Sequence, residues 1–155
     1  MVKSVTAGVK ATPAASEAWG LMRALMMGGP GFDQFHRACD TLGIPLSVAK
    51  SLLHIQPDQP EPMRVLAERW RCDASYITSI VDDLEAQGLA NRQPHPSDRR
   101  IKTVALTPKG EELQVALMSL LSEPPPAFDA LSATEQRQLR DLLKKITASD
   151  PAVLR

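Results

Sequence analysis

Apolar residues recur at helical spacing along most of the chain. Trp19, Met22, Leu25 and Met26 mark a helix opening near Ser16, and the run Gly28-Gly29-Pro30-Gly31 should break or sharply kink it. Phe32, Phe35, Cys39 and Leu42 resume the apolar face as far as Gly43. A helix over 47–55 follows, with Ser47 as its N-cap. Pro57, Pro60 and Pro62 stiffen the approach to a short helix over 63–70. Asp73 is placed to cap another over 74–87, which stops at Gly88. Two strands are predicted at 89–93 and 101–106, the second alternating Ile101, Thr103, Ala105 against Lys102, Val104, Leu106. Residues 94–100 form the hairpin tip between them. Thr107-Pro108 begins a helix that ends at Pro124-Pro125-Pro126. Ser132 and Glu135 have capping-box spacing before a last helix over 133–148, whose apolar face is Leu139, Leu142, Leu143 and Ile146.

The order helix, tight turn, helix, strand, basic hairpin, strand is that of a winged helix-turn-helix. In the helix over 74–87, Ile77, Ile80, Val81 and Leu84 form one buried stripe. Ser75, Tyr76, Thr78, Ser79, Asp82 and Asp83 must then point outward. Such short polar side chains and one phenol suit the donor and acceptor code of the DNA major groove. An arginine-tipped hairpin beside it suits the phosphate backbone or a narrow minor groove.

The 155 residues are 43% hydrophobic and 23% charged, the proportions of an ordinary globular domain, and the 4% aromatic content favours an aliphatic, helical core. No run approaches a membrane span or a secretory signal, and two cysteines make no disulfide framework. The expectation is a cytoplasmic protein with reduced thiols. Eighteen basic and eighteen acidic residues cancel, which by itself counts against nucleic acid. Their distribution restores it: over 89–110, Arg92, Arg99, Arg100, Lys102 and Lys109 face only Asp98, a surplus of four positive charges. His36 and Cys39 share a helical face, yet two ligands do not hold a metal, and neither His54 nor His95 supplies a third. No phosphate loop, metal cluster or nucleophile–base set is visible, so no cofactor and no enzyme activity are expected.

Over residues 40–147 the chain resembles the MarR family of bacterial regulators. The matching text is Leu66-Ala67-Glu68-Arg69, Ile77-Thr78, Val81-Asp82-Asp83-Leu84-Glu85, Gly88-Leu89, Arg92, Pro96, Asp98-Arg99-Arg100, Leu106-Thr107 and Gly110. Leu131-Ser132, Glu135, Leu139 and Leu142-Leu143-Lys144-Lys145 complete it. The resemblance implies a mainly α, six-helix winged helix-turn-helix whose N- and C-terminal helices interlace two copies as a homodimer. It implies that the helix over 74–87 enters the major groove of a near-palindromic operator. Arg100, held by Asp98, would reach the minor groove. It also implies repression relieved by a small aromatic or anionic effector, whose binding residues are unknown. The expected layout is an arm over 1–15 and one domain over 16–155, with a DNA-binding lobe at 47–107 and dimerisation helices at 16–46 and 108–148. Candidate DNA contacts are Arg64, Ser75, Tyr76, Thr78, Ser79, Asp82, Asp98, Arg99, Arg100 and Lys102. The chain departs from the family where Ser79 and Asp83 stand on a helix that often carries a cation, leaving Arg64 or Arg69 and the wing to meet phosphates. It departs again at Gly28–Gly31, where the family's first helix is continuous. Two other functions fit the same text: a winged helix used for protein–protein assembly, and redox sensing through Cys39 or Cys72.

Overall fold

A computed structural model describes residues 11–57 and 59–148, so residues 1–10 of the expected arm lie outside it. Residues 13–15 are not arm: Pro13 opens α1 (Pro13–Met26), and the Thr12 hydroxyl accepts the Ala15 N–H at 3.2 Å. The glycine break is real. Gly28 adopts φ +143°, a Cβ on Gly29 would lie 2.6 Å from the Ala24 carbonyl oxygen, and Pro30 starts α2 (Pro30–Leu42). The first helix of the six-helix fold is thus delivered in two pieces. Next comes α3 (Leu46–His54), where Pro45 rather than Ser47 holds the N-cap position, with no side-chain bond. Ser47 is one residue inside, and its carbonyl accepts from the Ser51 hydroxyl at 2.7 Å.

Then follow β1 (Glu61–Pro62), α4 (Met63–Trp70), α5 (Ala74–Ala86), β2 (Ala90–Pro94), β3 (Lys102–Leu106) and α6 (Pro108–Ser122). A 3-10 turn at Pro126–Ala130 leads into α7 (Ala133–Ala148). The sheet has three strands, in the order β1-β3-β2, all antiparallel, not the two expected. β1 pairs Glu61 with Val104 and Pro62 with Thr103; a proline is tolerated there because the strand is an edge. With a partner on each side, β3 is central and buries Thr103, Val104, Ala105 and Leu106 together. The predicted alternation is lost.

The chain forms two compact units, one of residues 34–123 and one of the segments at either end. In the first, Leu52, Leu66, Ile77, Val81, Leu84, Leu89 and Val104 make one core cluster, and Ala38, Cys39, Ala49 and Leu117 a second. Each large side chain fully withdrawn from water contributes roughly 1.5–3 kcal/mol. Helix ends are tied by amides: Gln114 donates to the carbonyls of Leu52 and Ile55, the latter at 2.8 Å, and Gln34 to those of Leu120, at 3.0 Å, and Glu123. Residues 34–42 and 108–122, assigned by sequence to dimerisation, therefore belong to the compact unit that holds the winged lobe.

In the other unit, neither α1 nor α7 buries a residue. Trp19, Leu21, Leu25 and Met26 of α1 and Leu142 and Leu143 of α7 are exposed. The capping box forms as expected: the Ser132 N–H and hydroxyl both donate to Glu135, holding its carboxyl below the usual range. No helix among the described residues is long and apolar enough to cross a membrane.

Candidate nucleic-acid interface

The interface begins with α4, whose Leu66 and Ala67 are buried and whose last turn closes through Arg71. Arg71 stands at φ 51°, ψ 46°, left-handed for a side-chain-bearing residue, while the Cys72 N–H reaches the Ala67 carbonyl at 3.1 Å. This conformation turns the chain in three residues and aims α5 across α4. Asp73 sits at the N-cap of α5 with extended backbone, but its side chain makes no cap bond. Its carbonyl oxygen accepts from Tyr76 and Ile77 instead. Between the two helices lies a groove of about 640 Å³, lined by Arg64, Glu68, Arg71, Cys72 and Thr78.

The stripe of Ile77, Ile80, Val81 and Leu84 is buried as periodicity required, and Leu84 and Val81 anchor α5 in the core. Opposite it, Ser75, Ser79 and Asp82 fall at i, i+4 and i+7 along the outward face. Thr78 flanks them on one side and Tyr76 and Asp83 on the other, all exposed. The Thr78 hydroxyl spends its proton on the Ala74 carbonyl at 2.9 Å, leaving only lone pairs and a methyl to the outside. At the far end Gly88 takes φ +69°. The Thr107 hydroxyl and the Lys109 ammonium then cap the carbonyls of Gly88 and Gln87, at 2.7 and 2.9 Å.

The wing tip is ordered by its own bonds. The His95 N–H reaches the Ile101 carbonyl at 2.9 Å, and Ile101 returns one to Asp98 at 3.0 Å. Asp98 does hold Arg100, but by its backbone: Oδ1 accepts the Arg100 N–H at 3.0 Å, while the guanidinium Nε is 4.0 Å away on a side chain 96% exposed. Arg99 and Lys102 are exposed beside it.

Arg92 and Arg69, which charge counting would leave to DNA, are engaged within the protein. Arg92, on β2, grips α5: its guanidinium binds Asp82 at 2.7 Å, Glu85, and the Thr78 carbonyl at 3.2 Å, and its N–H donates to Glu85 at 2.6 Å. Arg69 is tied to the Glu61 carboxylate and, at 2.5 Å, to the His54 carbonyl, so its guanidinium already has partners within the protein. Arg64 is exposed, 3.8 Å from Glu68, a pairing of little strength. The sequence reading missed Arg71, which lines the groove as an exposed cation; nothing in its local text announces a left-handed turn.

The MarR family profile matches residues 52–102, the span from α3 to the start of β3. The HTH-type transcriptional regulator BilQ of Clostridium symbiosum is 30% identical over 113 residues, 72% of this chain and 78% of that protein. This chain belongs to the MarR family. As a MarR-family protein it is a DNA-binding transcriptional regulator. CouR from Rhodococcus jostii, solved with p-coumaroyl-CoA bound, is similar at 28% identity and TM-score 0.59, over 87% of this chain and 95% of that one. MarR of Escherichia coli, solved without ligand, shares the winged-helix fold at 22% identity and TM-score 0.67, over 88% and 98% of the two chains.

Proposed function

We propose that this MarR-family regulator acts as a homodimer on a near-palindromic operator and represses transcription until a small aromatic or anionic effector binds. One observation carries the reading: a polar α5 face lies between an exposed arginine-bearing wing and a groove edged by Arg64 and Arg71. In this reading Ser75, Tyr76, Thr78, Ser79 and Asp82 meet base edges. Arg64 and Lys102 meet phosphates, and Arg99 and Arg100, on the turn that Asp98 fastens, enter the minor groove. Dimerisation is supported by α1 and α7, two amphipathic helices with no buried residue. The class of effector is supported by the aryl-CoA thioester bound to CouR.

Selection of duplexes from a random pool, followed by anisotropy titration at fixed salt, tests the DNA-reading part. The expected product is an inverted repeat with half-sites about ten base pairs apart. Recovery of no common sequence refutes it. Sedimentation showing only monomer at micromolar concentration refutes the dimer. In vitro transcription from a promoter carrying that operator, with and without aryl-CoA thioesters and aromatic carboxylates, tests repression and its relief.

A further inference from the structure

The geometry points to Asp82 as a specificity-determining residue that reads the exocyclic amino group of a cytosine in the major groove, with Arg92 as the group that makes this possible. The inference rests on the DNA-reading role proposed for α5. Asp82 lies on the outward stripe of α5 with Ser75 and Ser79, opposite the buried Ile77, Ile80, Val81 and Leu84. Ser75 and Ser79 on the same stripe offer hydroxyls, Thr78 has already given its proton to Ala74, and the carboxylate of Asp83 stands off the stripe, on the flank with Tyr76. Asp82 is therefore the strong acceptor of the stripe.

A bare carboxylate would be repelled from DNA by the phosphates. Here Arg92 offsets part of that charge at the position where it matters. Arg92 NH2 sits 2.7 Å from Asp82 Oδ1, and the arginine is fixed in turn by Glu85 and the Thr78 carbonyl. Arg92 is itself only 22% exposed, so it serves as an anchor and not as a DNA contact, whereas Asp82 is 60% exposed and keeps Oδ2 as an acceptor. The side chain is thus preorganised, its charge partly offset by an arginine that it shares with Glu85, and able only to accept.

Base chemistry then decides what it tolerates. Cytosine presents an N4 amino donor to the major groove. Guanine presents N7 and O6 acceptors, thymine an O4 acceptor and a methyl, and adenine an acceptor N7 beside its amino group. A fixed acceptor favours cytosine and rejects guanine and thymine.

The test compares operators selected by the unaltered chain and by Asp82→Asn. The unaltered chain is expected to require cytosine at one position in each half-site, by roughly 5- to 150-fold over other bases. Asp82→Asn should lose that preference, or move it to adenine, which an amide pairs with through N6 and N7, with every other position unchanged. A second measurement needs no variant: N4-methylcytosine at that position, whose methyl occupies the groove side of the amino group, should weaken binding of the unaltered protein comparably. Arg92→Ala should lower affinity for all DNA and narrow the discrimination at the same position. Identical preferences in both proteins, or a preference of the unaltered chain for guanine or thymine at the position Asp82→Asn alters, overturns the inference while leaving DNA reading intact. An unaltered chain that selects no sequence removes the premise beneath it.

Discussion

Gly110 lies against the backbone of Leu89, which stands between α5 and β2, and replacing it by alanine tests how tightly α6 is seated on the start of the wing. A Cβ built there would lie 2.0 Å from the Leu89 carbonyl oxygen, 2.9 Å from its carbon and 3.3 Å from its Cα. These are backbone atoms, so no side-chain rotation relieves the overlap, and α6 and β2 must part by about an ångström or more. That motion stretches the Thr107 N–H bond to the Leu89 carbonyl, now 3.0 Å, and the two caps on Gly88 and Gln87. Overpacking of this kind costs about 1–3 kcal/mol. A weakened partly buried hydrogen bond adds roughly 1 kcal/mol. The helix preference of alanine over glycine returns about 0.5–1 kcal/mol. The net expectation is a loss of about 1–3.5 kcal/mol. Urea unfolding followed by circular dichroism, at fixed protein concentration, should show the midpoint falling by about 1 M with unchanged slope. Gly20→Ala is the matched control: it lies within α1 with no atom within 4 Å of its added Cβ, and should be neutral or stabilising. If Gly110→Ala unfolds at the same urea concentration as the parent, the seating of α6 on Leu89 described here is wrong.

Arg71→Gly should leave the fold as stable or more so by up to about 1 kcal/mol, since glycine takes the left-handed turn without strain. It should also weaken binding to all DNA and reduce the salt dependence by about one counterion; a clear loss of melting temperature would contradict the turn geometry. Arg100→Ala should cost operator binding about 1–3 kcal/mol with an unchanged melting temperature, because its side chain is almost wholly in solvent; equal affinity in a salt titration refutes its role. Burial, and then Asp40, push the Cys39 thiol up, so at pH 7.5 a thiol reagent should modify the part-exposed Cys72 first and reach Cys39 only on unfolding. Rapid modification of Cys39 would reopen it as a redox sensor. Desolvation, and then Arg69, hold His54 below its ordinary value of 6.5, so the native state binds fewer protons than the unfolded chain below that pH. Stability should fall as pH drops from about 6.5, and His54→Gln should flatten that acid limb; an unchanged limb refutes the assignment.

Features that depend on a few consecutive residues were legible in the chain itself. The buried stripe of α5, the Thr107 and Ser132 caps, the Gly88 stop and the Gly28–Gly31 break all express local backbone and periodicity rules, and each stands where those rules put it. The outward face of α5 followed at once, as the complement of its buried one. What required the tertiary structure is what depends on residues far apart in the chain. β1 is two residues long and contains a proline, so only its pairing with Thr103 and Val104 makes it a strand, and β3 beside it is buried on both faces where alternation predicted two unlike ones. Charge counting credited the wing with Arg92, but Arg92 lies against Asp82 and Glu85 of the preceding helix, because β2 folds back along α5. Arg69 is likewise taken by Glu61. A sequence counts charges one by one, whereas only the packing decides which of them neutralise each other and which remain for the phosphates.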